Sequence, residues 1–214
     1  MDLDPRPRIR MRWVVAVAIA GIGVAGLAGI FFSSRRSSTT PPGGAAAYMY
    51  QVGRPGPGEA APPVHLTSTD GGTFDLASLR GQTVLLYFQE GVMCEPCWTQ
   101  LRDIERNMDQ FRALGIDRIV SITTDPSAAL KQKTADEALT TPVLSDSNVG
   151  VSKAYQANQY GMMGEGQDGH SFILVNKDGV IAWRADYGGA PAHTMYVPVP
   201  SLLNDIKRGL AGAR

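Results

Sequence analysis

The only two cysteines of this 214-residue chain, Cys94 and Cys97, stand with two residues between them. They mark the junction of two strongly patterned segments. Upstream, "TVLLYF" (83–88) is a continuous apolar, partly β-branched run, the pattern of a central strand buried on both faces. Downstream, Cys97, Leu101, Ile104, Met108, Phe111 and Leu114 recur at steps of four and three. That spacing predicts one helix with a single buried face, ended by Gly115. A strand that enters a helix through a C-x-x-C commits this part of the chain to an α/β arrangement. Cys94 then lies just past a central strand, and Cys97 lies in the first turn of the helix. Pro96 is tolerated there because first-turn N–H groups have no intrahelical partner.

The flanking sequence extends this pattern. "PPVHLTSTDGGTFDLASLRGQ" reads as a strand, a turn at Asp70-Gly71-Gly72, a second short strand and a turn at Arg80-Gly81. "IDRIVSIT" (116–123) is another strand, and Asp125-Pro126-Ser127 opens a helix running to about Leu139. "PVLSD" (142–146) is a short strand, 148–156 a short helix, and "QYGMMGEGQDG" a glycine-rich loop. "SFILVN" and "VIAWRA" flank Lys177-Asp178-Gly179 as a hairpin. Leu202, Leu203, Ile206 and Leu210 mark a last helix. The order β-β-β-α-β-α-β-α-β-β-α predicts a mixed central sheet flanked by helices on both faces. The segment 186–203, "DYGGAPAHTMYVPVPSLL", has no clear period. It either walls a groove beside the cysteines or packs between hairpin and last helix, and packing is the favoured reading.

The N-terminal part is of another kind. "WVVAVAIAGIGVAGLAGIFF" (13–32) carries no charged residue. As a helix it spans roughly 30 Å, the thickness of a bilayer's hydrocarbon core. Arg6, Arg8, Arg10 and Arg12 precede it, whereas Arg35 and Arg36 follow it. The positive-inside bias then makes 1–12 a cytoplasmic basic tail and places everything after the span outside. A cleaved signal peptide is the alternative, but "FFSSRRSS" offers no good small-x-small site. Residues 33–60, dominated by Ser, Thr, Pro, Gly and Ala, read as a flexible linker. The folded domain is expected over 61–214. With 20 basic and 20 acidic side chains, nothing points to a nucleic-acid partner.

Two thiols this close can form a reversible disulfide, and a thiol at a helix N-terminus is favoured as the nucleophilic thiolate. Attack by Cys94 on a partner's disulfide, followed by release through Cys97, is the chemistry this spacing suits. Outside the cytoplasm the pair must be recharged by another redox protein. Two further readings stay open. A purely structural disulfide would close a loop too short to restrict the unfolded chain much. A metal site needs more ligands. His65, His170 and His193 are the only histidines and none has finger-like spacing, so zinc is disfavoured. A copper site from Cys94, Cys97 and His170 remains an alternative.

The stretch "GGTFDLASLRGQTVLLYFQEGVMCEPCWTQL" resembles the thioredoxin superfamily. Within it, the resemblance is to the membrane-anchored extracytoplasmic thioredoxin-like and redoxin (AhpC–TSA, peroxiredoxin-like) branch. "FILVNKDGVIAWR" resembles that family's hairpin, and the match runs from about Pro62 to Leu210. The resemblance implies a thioredoxin-like fold, a nucleophilic Cys94 and a resolving Cys97; on the leading reading no cofactor and no metal are expected. Several positions depart from the family pattern. Met93 replaces the usual tryptophan, although Trp98 follows the second cysteine, and Phe88 occupies the place of the buried acid. Glu95 lies between the cysteines, where a carboxylate should disfavour the Cys94 thiolate. Glu90 is a candidate base, with a solvated surface side chain the favoured reading. Gly169, followed by His170, falls where the family has a cis-proline. Tyr87 and Gly91 fall where peroxiredoxins have proline and threonine, and the peroxide-activating arginine has no counterpart. His170, Glu95, Gly169 and Trp98 are the candidates for tuning the sulfur or contacting a substrate.

The expectation is therefore a membrane-anchored, extracytoplasmic thiol–disulfide oxidoreductase. Its partners would be exported proteins with disulfides and an electron-donating redox protein. A peroxiredoxin-type antioxidant peroxidase is the first alternative and a copper carrier of the same fold the second.

Overall fold

The computed structural model describes residues 48–212. The basic tail, the apolar run 13–32 and the linker up to residue 47 lie outside the described residues. Among the described residues, no helix is long and apolar enough to cross a membrane.

Seven strands form one mixed sheet: β1 (His65–Ser68), β2 (Thr73–Asp75), β3 (Val84–Phe88), β4 (Arg118–Thr123), β5 (Val143–Ser145), β6 (Ser171–Val175) and β7 (Ile181–Asp186). Their order across the sheet is β2-β1-β5-β4-β3-β6-β7. The β3–β4 and β4–β5 pairs are parallel and all others antiparallel. The helices are α1 (Glu95–Arg106), α2 (Met108–Ala113), α3 (Ser127–Asp136), α4 (Gly150–Ala154) and α5 (Val199–Gly212).

The unbroken apolar run of β3 is explained by its two faces. Leu85 and Tyr87 point into a core built with Trp98, Leu101 and Ile104 of α1 and Leu202 and Ile206 of α5. Val84, Leu86 and Phe88 point into a second core with Val120, Ile122 and Tyr155. All five β3 residues are buried. This is the mixed, helix-flanked sheet that the element order predicts.

Two expectations are corrected. The helix expected to run unbroken to Gly115 is interrupted at Asn107, whose φ of −112° and ψ of 18° are not helical. Its amide Nδ2 donates to the Asp103 carbonyl at 2.8 Å, a local bond that competes with the helical ladder. The apolar face continues through α2, so the periodicity persists across the break.

The linker reading fails for its described part, Tyr48–Ala60, which is docked on β7. Gln51 bridges to Asp186 and Ala60 to Val180. Tyr50 meets Trp183 and Tyr187 edge-on, at centroid distances of 6.3 and 5.2 Å. Beneath this strap lies a fully buried ion pair. Arg184 donates from Nε and Nη2 to the two oxygens of Asp186, at 2.8 and 3.0 Å. Strap backbone completes the pair: the Gly53 N–H donates to Asp186 Oδ2 (2.7 Å), and the Pro55 carbonyl accepts from Arg184 Nη1 (3.0 Å). A buried pair in which each nitrogen and oxygen has a partner is tolerable, whereas one lacking the strap would be costly.

Candidate redox site

The chain leaves β3 at Phe88 and must turn sharply to bring Cys94 to the start of α1. Gly91 makes that turn with φ +97°, a region that disfavours residues with a Cβ. A Cβ there would sit 1.8 Å from Asp125 Oδ2. The same oxygen accepts the Val92 N–H at 2.8 Å and the Thr123 hydroxyl at 3.0 Å. The Gly91 carbonyl accepts from the Cys94 N–H (3.0 Å) and from Trp98 Nε1 (3.0 Å). The loop before Cys94 is thus fastened on both sides, and a threonine, which peroxiredoxins have at this position, would have no room. Gly91→Ala is expected to lower stability by about 2 kcal/mol, combining left-handed strain with displacement of Asp125. Denaturant unfolding of the oxidised chain measures it, and an unchanged midpoint would contradict this account.

Cys94 and Cys97 form a disulfide, with Cα atoms 5.3 Å apart. Cys94 is the N-cap of α1. Its sulfur is at the positive end of the helix dipole, which favours the thiolate once the bond is reduced. The two cysteines differ in access: Cys94 is 8% exposed and Cys97 is not exposed at all. An incoming thiolate therefore meets Cys94.

Under the disulfide lies a buried polar group. The Tyr87 hydroxyl is 3.3 Å from the Cys97 carbonyl and 3.1 Å from His170 Nδ1. Both contacts are satisfied if the hydroxyl donates to the carbonyl and Nδ1–H donates to the hydroxyl, which assigns the tautomer and leaves Nε2 as a lone pair. His170 Nε2 is buried without a partner. Burial pushes the His170 pKa down to about 3, so the ring is neutral at physiological pH. Burial, then the nearby Glu90 charge, pushes the Tyr87 hydroxyl well above its usual value.

His170 is inaccessible and touches no substrate; it supports the α1 N-terminus from below. Gly169 is there for a close approach: a Cβ would stand 1.7 Å from the Tyr160 carbonyl oxygen. That carbonyl accepts the His170 N–H at 3.1 Å, while the His170 carbonyl accepts from Tyr187 N–H (2.8 Å) and Gly188 N–H (3.1 Å). The N–H groups of Gly169 and His170, where the family has a cis-proline, are thus both bonded within the molecule.

Three other readings are corrected. Glu95 does not bear on the sulfur as a lone charge. It is paired with Arg102 at 2.8 Å and Lys133 at 3.5 Å, and the Arg102 hydrogen bond is the main cause holding its carboxyl below the usual range. Trp98 is a buried core residue, with the Lys133 ammonium 5.5 Å from its ring centroid, and not a substrate contact. Glu90 is not solvated: it is buried and accepts the Met162 N–H, tying the glycine-rich loop to the cysteine end of β3.

The unperiodic segment after β7 does both things considered for it. Val197 and Val199 pack in the core, and Met195 packs on the two cysteines. Nothing in the sequence marks Met195, because no repeat places it. Among the described residues, no three His, Cys, Asp or Glu side chains are grouped to hold a metal ion, so His170 does not join the cysteines as a third ligand.

The model of the "AhpC/TSA family" matches residues 57–184. Peroxiredoxin Bcp of Escherichia coli (strain K12) is 32% identical over 138 residues, covering 64% of this chain and 82% of that protein. Peroxidoxin BcpB from Mycobacterium tuberculosis has a TM-score of 0.54 at 17% identity, covering 74% of this chain and 96% of its own. A putative protein disulfide isomerase from Bacteroides thetaiotaomicron has a TM-score of 0.53 at 21% identity, covering 78% and 95%. At such identities these two structures speak for the fold alone.

Proposed function

Because the chain belongs to the AhpC/TSA family of the thioredoxin superfamily, with its thiol-based redox chemistry, we propose that it is a thiol–disulfide oxidoreductase acting on disulfides of partner proteins. The observation that carries this reading is the asymmetry of the Cys94–Cys97 pair at the α1 N-terminus. In the reduced protein, the Cys94 thiolate attacks a partner sulfur, forming a mixed disulfide and expelling the partner's other sulfur as thiolate. The Cys97 thiolate then attacks Cys94 Sγ, the partner leaves as a dithiol, and the intramolecular disulfide remains. A second dithiol protein reverses the sequence: its thiolate attacks Cys94, the more accessible of the two, and displaces Cys97. In this proposal the apolar run 13–32 anchors the chain in the cell membrane, residues 1–12 are cytoplasmic, and the redox domain works outside on exported proteins.

Peroxide reduction is the second reading, favoured by the peroxiredoxin name of the E. coli relative. There the Cys94 thiolate would attack the O–O bond to give a sulfenic acid and an alcohol or water. Cys97 would then condense with it, releasing water and forming the same disulfide. Tyr87 and Gly91, at the positions of the peroxiredoxin proline and threonine, speak against it: one is buried against His170 and the other is pressed on Asp125.

The discriminating experiment uses the reduced full-length chain. Insulin disulfide reduction is expected to be catalysed, while hydrogen peroxide, followed by Trp98 fluorescence in stopped flow, oxidises the pair no faster than a free thiol. A fast peroxide reaction without insulin reduction would reverse the ranking.

A further inference from the structure

Three sulfur-bearing side chains pack together at the α1 N-terminus, where the redox chemistry uses only two. Met195 is 8% exposed and packs directly on Cys94 and Cys97. Its position is fixed from both sides. The Thr194 N–H donates to the Tyr187 carbonyl at 3.0 Å, the Tyr196 hydroxyl to Asp103 at 2.7 Å, and the Val197 N–H to Gln100 Oε1 at 2.7 Å. Asp103 and Gln100 belong to α1 itself. The thioether is therefore clamped onto the helix whose first turn carries the cysteines, although its loop has no regular structure.

We propose that the reduced protein binds one monovalent copper ion through the Cys94 and Cys97 thiolates and the Met195 thioether. The chemistry follows from the donor set. Thiolate and thioether are soft ligands and select Cu(I) over the hard divalent cations. Three donors leave zinc short of the four it takes in closed sites. Cys97 is sealed from water and Cys94 and Met195 are 8% exposed each, so a bound ion would be largely shielded. Other methionines of the chain are exposed. Met93, next to Cys94, is 82% exposed, and Met162 and Met163, on the loop tied down by Glu90, are 56% exposed each.

The balance is simple. The disulfide first takes two electrons and two protons from a dithiol donor, which becomes a disulfide. Binding of Cu(I) then displaces the two thiol protons, and copper keeps its oxidation state. The site rests only on the pair being reducible, whatever its oxidising substrate.

The test uses the full-length chain in detergent, reduced with a phosphine and titrated anaerobically with Cu(I) against a chromophoric Cu(I) chelator. One ion per chain should leave the chelator, with none taken up by the oxidised chain. X-ray absorption should show three sulfur scatterers and no nitrogen. Met195→Leu keeps the volume and should weaken binding on the order of tenfold, with two sulfurs remaining. A reduced chain that takes no copper from the chelator overturns the proposal. So does a nitrogen donor in the absorption spectrum, or a Met195→Leu chain that binds as tightly as the parent with an unchanged spectrum. Insulin reduction measured on the same preparation reports separately on the oxidoreductase reading.

Discussion

Cys97→Ser should turn the protein into a trap. The variant keeps the more accessible Cys94 at the α1 N-terminus, attacks a partner disulfide and then has no thiol with which to release it. A covalent partner adduct should accumulate on non-reducing electrophoresis and disappear with dithiothreitol. Cys94→Ser should form none, and its disulfide-reducing rate should fall by about a thousandfold or more, since Cys97 is sealed and cannot substitute as nucleophile. Equal trapping by the two variants would mean that the buried sulfur is reached from outside, which contradicts the packing. Full activity in Cys94→Ser would remove the redox assignment of the pair altogether.

The second large effect concerns acid stability. His170 has a folded pKa of about 3, against about 6.5 in an unfolded chain. The folded pKa is depressed, so its contribution is present above about pH 6.5 and is lost as pH falls from there towards 3. Across that window the unfolded state binds the proton that the buried ring refuses. At 1.36 kcal/mol per unit, the loss amounts to about 4 kcal/mol. Asp168 works in the opposite sense. Neither of its oxygens receives a hydrogen bond, because the Ser152 hydroxyl beside it donates to Asp146 at 2.6 Å. Burial raises its carboxyl well above the usual range, so acidification relieves a cost there. Paired carboxylates such as Glu105 add their own acid loss. The difference between parent and His170→Gln removes these shared contributions. Unfolding free energies measured between pH 7 and pH 4 should converge by several kcal/mol as the pH falls, because only the parent has the histidine to protonate on unfolding. Parallel profiles would show that the ring is not held neutral.

The strand–helix frame and the reactive pair were legible because their signals are local. A continuous apolar run names a strand buried on both faces, and the four-and-three steps name the α1 face. What was not legible depends on contacts between distant residues. Glu95 reads as a neighbour of the thiol, but its charge is matched by Arg102 seven residues on and by Lys133 from α3. His170 reads as a candidate for tuning the sulfur or contacting a substrate, but nothing local shows that strands β3 and β6 bury it beside Tyr87. The strap Tyr48–Ala60 has the composition of a tether, and its docking depends on an ion pair more than 120 residues away. Met195 is one methionine in an unpatterned loop until Gln100 and Asp103 pin that loop to α1.

The docked strap also alters how the redox domain would search for partners. If residues 13–32 anchor the chain, docking from Tyr48 onward cuts the spacer from residues 33–60 to residues 33–47, close to half its length. The effective concentration of a tethered reactant rises roughly as the inverse three-halves power of tether length once the tether is long enough to span, so Cys94 would meet a partner held in the same bilayer about 2.5 times more often. The short leash would favour electron exchange with membrane-resident proteins over capture of proteins diffusing freely beyond the surface.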